Sequence, residues 1–179
     1  MAETRTPVAE TKKAQEQAAW EIAAAVCDPE LPVLTIADLG ILRSVGREQG
    51  PDGPTVRVVI TPTYSGCPAM DVIRSDLHAA FERAGLADVE VVTVLSPAWT
   101  TDWISEEGRA KLAEFGIAPP SGTSQAGGHS GPLRLALHVK CPHCQSLNTH
   151  ERSRFGSTSC KALYTCRDCK EPFDYFKVF

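Results

Sequence analysis

The residues best suited to chemistry are thiols. Two Cys-x-x-Cys pairs, Cys141-Pro142-His143-Cys144 and Cys166-Arg167-Asp168-Cys169, stand 21 residues apart. That is one more than the roughly 15–20 residues usual between such pairs in a four-cysteine zinc site. Two sulfurs on one tight turn fill two corners of a tetrahedron, and a second turn fills the others. The pattern predicts a zinc ribbon held by Cys141, Cys144, Cys166 and Cys169. Iron is the alternative, because tetrahedral thiolate sites accept either metal. His143 and His150 could substitute as ligands, but four cysteines suffice. A closed set of thiolates is expected to act as a staple.

Cys67 calls for a different reading. A β-branched run of strand length, Val56 to Ile60, is stopped by Pro62 and followed by a loop of small and hydroxylated residues, at whose end Cys67 stands directly before Pro68. Pro68 suits the first position of a helix, where its missing N–H would be unpaired anyway. Cys67 is then expected at the N-cap, where the positive helix end favours a thiolate. The alternative is a small half-buried cysteine filling a turn. Cys160 is a fifth ribbon thiol in Phe155-Gly156-Ser157-Thr158-Ser159-Cys160-Lys161, fitting neither knuckle. The adjacent lysine could lower its pKa, or it is a small buried thiol under the ribbon. Cys27, at the end of an Ala-rich helix, reads as buried packing.

The elements that must position these thiols follow from periodicity. Residues 11–26 predict a helix that stops before Asp28-Pro29-Glu30, since proline disfavours helical geometry at the residue before it. Ile36-Ala37-Asp38-Leu39-Gly40 predicts a short turn, and 41–45 and 56–60 two strands joined through Gly50-Pro51-Asp52-Gly53-Pro54. Met70, Ile73, Leu77, Ala80, Phe81 and Ala84 give residues 69–84 one apolar helical face. Residues 89–95 predict a third strand, and a strand–helix–strand unit of this length favours a parallel, right-handed crossover. Ser105 is expected to cap a last helix. The fold class is α/β (α+β): a small sheet with helices over residues 11–118, then an all-β ribbon over 133–179. In the ribbon, 134–139 and 162–165 are candidate strands, and the aromatic residues from Phe173 on supply a closing one. The 14 residues of 119–132 read as a flexible linker with a reach of roughly 20 Å, enough to let the ribbon approach Cys67.

Composition narrows the function classes. The chain has 179 residues, 42% hydrophobic and 22% charged, as in a soluble globular protein. No apolar run approaches the roughly 20 residues of a membrane span. The polar start lacks the apolar segment of a secretory signal. Seven cysteines, an odd number and partly paired at metal-binding spacing, fit a reducing cytoplasm. The net charge of −4 divides unevenly: residues 1–132 carry 10 Lys/Arg against 18 Asp/Glu, and residues 133–179 carry 8 against 4.

Several of these motifs occur together elsewhere. Asp28-Pro29-Glu30, Asp38-Leu39-Gly40, the segment from Thr61-Pro62-Thr63 to Cys67-Pro68, and Pro97-Ala98-Trp99 resemble the iron–sulfur assembly domain of SufT-like proteins. The ribbon, with residues 155–163 and Cys169-Lys170-Glu171-Pro172-Phe173-Asp174-Tyr175-Phe176-Lys177, is similar to the PaaD family. These are the D components of ring 1,2-phenylacetyl-CoA epoxidases. The likeness runs from about Trp20 to Phe179. It implies an accessory, non-catalytic role in phenylacetate catabolism, maturing or inserting a labile iron–sulfur cluster, or iron. It implies a functional cysteine at Cys67, a second motif position at Asp38 and, for the PaaD group, Cys160. The implied partners are other epoxidase components: the iron–sulfur reductase subunit, or the di-iron oxygenase. A second copy of the chain could also share the cluster. An acidic residue before Leu-Gly is, equally, a plain turn former.

Other function classes fit these residues less well. The basic ribbon with Tyr164, Phe173, Tyr175 and Phe176 could offer a nucleic-acid surface, but the ribbon needs those rings for its own core. A purely structural docking subunit is another alternative. A thiol enzyme would need a base beside Cys67, and His78 lies eleven residues on, about three helical turns away. No Glu-x-x-His pair or dinucleotide fingerprint is present. The chain is expected to be no enzyme, and no nucleic acid or membrane partner is expected.

Overall fold

The protein is described by a computed structural model covering residues 7–50, 53–121 and 139–178. Its contacts divide it into two compact units, residues 1–98 and 99–179.

The first unit begins with α1 (Pro7–Ala24), which presents Ala19 and Ala23 to the core. It ends four residues before Asp28, whose carboxylate accepts the backbone N–H groups of Glu30 (2.9 Å) and Leu31 (2.8 Å). That buried Asx turn redirects the chain. Leu31, Leu34, Ile36, Leu39 and Ile41 are all buried, so the connector contributes to the core. β1 (Leu42–Gly50) and β2 (Gly53–Ile60) form the expected antiparallel hairpin, and β3 (Val89–Thr93) lies parallel to β2, in the order β1-β2-β3. The crossover is α2 (Ala69–Arg83), with Ile73, Leu77 and Phe81 fully buried. Each contributes about 2 kcal/mol by leaving water. Val56, Val58 and Ile60 alternate inward on β2. The intervening Arg57 meets Glu48 (3.3 Å) and Glu90 (3.8 Å) on the open face, where exposed pairs add little stability.

The second unit is larger than the sequence suggests. Residues 99–118, read from the sequence as part of the first domain, group with the ribbon. The reason is the ribbon's small apolar content: a sheet of this size needs outside residues to close its core. α3 (Glu106–Glu114) is capped by Ser105, whose hydroxyl accepts Gly108 N–H at 2.9 Å. It leads to β4 (Ile117–Ala118), which pairs in parallel with β7 (Pro172–Phe176). Trp99 meets Phe176 at 6.3 Å between ring centroids. With β5 (Thr149–Ser153) and β6 (Lys161–Cys166) the order is β4-β7-β6-β5.

β5 is not legible in the sequence: Thr-His-Glu-Arg-Ser has no apolar alternation, as suits an edge strand, and its last three residues are exposed. The candidate strand at 134–139 lies outside the described residues except for Val139, as does the linker beyond residue 121. Phe173, Tyr175 and Phe176 are buried, and Tyr164 packs at 5.9 Å and 5.4 Å on Phe173 and Tyr175. These rings are core. Among the described residues no helix is long and apolar enough to cross a membrane.

Candidate metal centre and thiol site

The two knuckles converge. Cys141, Cys144, Cys166 and Cys169 bring their sulfurs within 4.8 Å of one another. Cys141 and Cys169 are 3.8 Å apart and Cys144 and Cys166 3.5 Å. A zinc–sulfur bond of about 2.3 Å gives a tetrahedral edge of about 3.8 Å. The donor set therefore fits a tetrahedral, thiophilic ion and provides all four of its ligands.

Each knuckle is built the same way. Cys141 N–H donates to Ser146 C=O, and Cys166 N–H to Glu171 C=O. The residue after each second cysteine is left-handed: Gln145 at φ 64° and Lys170 at φ 67°. Glycine is the usual occupant of that conformation, so composition does not reveal these turns. Backbone N–H groups then reach the sulfurs. That of Cys169 is the largest influence on Cys166, Asp168 N–H adds to it, and together they draw that thiol down to about 7. Glu171 N–H favours the Cys169 thiolate, but desolvation and the neighbouring sulfurs outweigh it and push that thiol up to about 12. Four thiolates at this spacing need a cation among them.

Cys67 occupies a different kind of place. The loop from Thr61 to Cys67 leaves the C-terminal end of β2 and turns through Tyr64-Ser65-Gly66-Cys67, closed by Cys67 N–H to Tyr64 C=O at 3.3 Å. Gly66 at φ +86° supplies the left-handed residue this turn needs. The N-cap of α2 is Pro68 (φ −67°, ψ −22°) and not the expected Cys67, because proline itself already takes helical geometry and no side chain caps the helix. Cys67 stands one residue earlier, where the Ala69 N–H still favours its thiolate. The side chain is half-buried. It lies on the connection between the C-terminal end of β2 and the start of α2.

The expected thiolate at this helix end is not favoured. Desolvation is the largest effect on Cys67 and raises its pKa. The Ala69 N–H and the Tyr64 hydroxyl oppose it without winning, and the carboxylates of Glu30 and Asp28 add to the rise. Below its raised pKa Cys67 is a thiol, so its reactivity grows as pH rises. Alkylation by iodoacetamide, followed on the peptide containing Cys67, is expected to quicken by about tenfold per pH unit through neutrality. Its midpoint should lie above the ordinary 9.0. A midpoint below that value would show that the helix end outweighs burial.

The remaining candidates are placed as follows. Asp38 is buried and its carboxylate accepts Thr35 N–H at 3.0 Å, while its own N–H donates to Thr35 Oγ1 at 3.0 Å. That reciprocal box builds the Ile36–Gly40 turn. Cys160 is buried, 3.0 Å from Thr158 Oγ1. The adjacent Lys161 is buried too and pairs with Asp174 at 3.2 Å. Cys27, expected in packing, is exposed: its backbone bridges Thr35 and turns the side chain outward. Tyr64 is a site residue that sequence reasoning does not find, because nothing in the local sequence signals a hydroxyl aimed at Cys67.

Comparison with known proteins agrees with this two-part construction. The family described as iron–sulfur cluster assembly protein matches residues 16–95, and the PaaD zinc beta ribbon domain matches residues 126–177. The crystal structure of a domain of unknown function, DUF59, from Bacillus anthracis is 26% identical, with a TM-score of 0.52 over 58% of this chain and 96% of its own. A protein of Escherichia coli (strain K12), named as a putative D component of 1,2-phenylacetyl-CoA epoxidase, is 46% identical over 158 residues, covering 88% of this chain and 90% of the relative. At that identity and coverage, and with the PaaD zinc beta ribbon matching residues 126–177, this chain belongs to the PaaD family, the D components of 1,2-phenylacetyl-CoA epoxidase.

Proposed function

We propose that the chain is a non-catalytic accessory protein of the phenylacetyl-CoA epoxidase system, acting in phenylacetate catabolism. It receives an iron–sulfur cluster, or iron, on Cys67 and passes it to a partner protein, while zinc stays resident in the ribbon. The observation that carries this reading is the contrast between its thiols. Four sulfurs fit a tetrahedron; Cys67 belongs to no such group among the described residues and is a half-buried thiol on a turn after β2. The family descriptions of residues 16–95 and 126–177 support the same division, and the name of the Escherichia coli relative supports the epoxidase system.

The physical logic is that of a weak, reversible ligand. When iron binds, the Cys67 sulfur forms the Fe–S bond and its proton goes to solvent, with no change of oxidation state. Because burial holds the proton on, loading competes with protonation and the bound unit stays labile. The Tyr64 hydroxyl and Ala69 N–H can steady the ligated sulfur. A single thiol leaves the other iron positions to a second copy or to the recipient, either the iron–sulfur reductase subunit or the di-iron oxygenase. Val72 and Leu95, exposed near the start of α2 and just past β3, supply apolar rim for docking. In this reading Asp38 shapes the neighbouring turn and Cys160 packs the ribbon.

Anaerobic reconstitution with iron and sulfide, read by visible absorption, tests the assignment. Wild-type protein is expected to develop sulfide-to-iron charge-transfer bands, and Cys67→Ser to lose most of them. Equal loading of the two proteins would remove Cys67 from the role.

A further inference from the structure

We propose that Asp168 is the positioning residue of the metal centre, tying the second knuckle to the chain leaving the first and thereby setting how slowly the metal is released. One carboxylate oxygen accepts the Asn148 side-chain amide at 2.7 Å, and the other accepts the Ser146 hydroxyl. Asn148 N–H donates to Ser146 Oγ at 3.0 Å, and Arg167 N–H donates to Asn148 C=O at 2.8 Å. Asp168 sits between the two ligands of the second knuckle, Cys166 and Cys169, so its side chain ties that knuckle directly to the exit of the first.

The charge makes the placement informative. Four thiolates around a divalent ion carry a net charge of about −2, so a further anion beside them is unfavourable. Its geometric use must offset that cost, and here both of its oxygens are occupied by donors that follow the other knuckle. His143, at the equivalent position of the first knuckle, is placed differently: it lies beside Gly116, where an added Cβ would sit 3.5 Å from its Cε1. The β5–β6 ladder starts at Thr149 and Cys166. Asp168 therefore closes the open end of the hairpin, and a knuckle that swings away to free the metal must first break its bonds.

The inference rests on the ribbon holding a resident metal, so metal content of the wild-type protein is measured first; zinc release is then followed by capture with a chromogenic chelator. If wild type carries iron instead, the zinc assignment fails, and the same comparison is run with a ferrous chelator. Asp168→Ala is expected to release metal about 10–100-fold faster, and Asp168→Asn, which keeps one acceptor oxygen, by less. Ser146→Ala combined with Asn148→Ala, which removes both donors and leaves Asp168 in place, is expected to match Asp168→Ala and keeps the question answerable if that variant does not fold. Gly156→Ala is the control: its Cβ would press on Asp174 Oδ1 and Lys161 Cβ at 3.1 Å, loosening the same sheet away from the metal. Release within twofold of wild type in Asp168→Ala, or equal acceleration in Gly156→Ala, overturns the proposal.

Discussion

Cys166→Ser is expected to abolish metal binding and unfold the ribbon while the first unit stays folded. Cys166 belongs both to the four-cysteine group suited to a metal ion and to the buried cluster of Ala118, Val139, Cys141, Ala162, Phe173 and Tyr175. Serine cannot supply the thiolate, and its hydroxyl would be buried among apolar groups. Apparent zinc binding contributes about 10–16 kcal/mol to folding in small zinc modules, more than a core of this size supplies by itself. Three readouts are expected to agree: metal per chain falls to near zero, amide protection disappears from β5–β7, and protection of β2 and α2 is retained. Trp99, buried against Phe176, should become exposed and shift its emission to the red. A variant that keeps its protected ribbon without metal would show that the sheet is stable without its ion.

Asp174→Ala is expected to cost about 3–5 kcal/mol, because it strands the ammonium of a buried lysine. The Lys161 side chain is only 7% exposed, and its Nζ lies 3.2 Å from Asp174. The two residues come from the neighbouring strands β6 and β7, where Leu163 faces Asp174 and Lys161 faces Phe176. Lys161→Met in the same background removes the stranded charge and should recover most of the loss, since an apolar side chain of similar volume suits the site. Urea unfolding of the metal-loaded protein measures both. A loss below about 1 kcal/mol in Asp174→Ala would mean that the ammonium reaches water, as in a surface pair.

Lys161 also shows how far sequence reading reaches. Beside Cys160 it suggests a cation lowering the pKa of a reactive thiol. Its charge is instead directed to Asp174, thirteen residues on and one strand over, while Cys160 sits buried against Thr158. Cys67 shows the same limit. Its place at the start of a helix is legible from Pro68, because proline at that position is a local preference. Its protonation depends on how much water the surrounding chain removes, and no short motif encodes that. Cys27 reads as packed because its helix is Ala-rich, but the pairing with Thr35 decides its orientation.

By itself, the sequence determined the features that depend on covalent spacing and local periodicity. These are the two knuckles, the β1–β2 hairpin, the apolar face of α2, the parallel strand after it, and the family to which the whole arrangement belongs. Tertiary structure alone decided which surfaces were short of partners. It moved residues 99–118 onto the ribbon, since the ribbon's sheet takes up β4 beside β7; it made an edge strand of Thr149–Ser153; and it raised the pKa of the thiol proposed to carry iron. The physical reason is common to all three: spacing acts through neighbours along the chain, whereas burial and pairing are settled by residues far away in it.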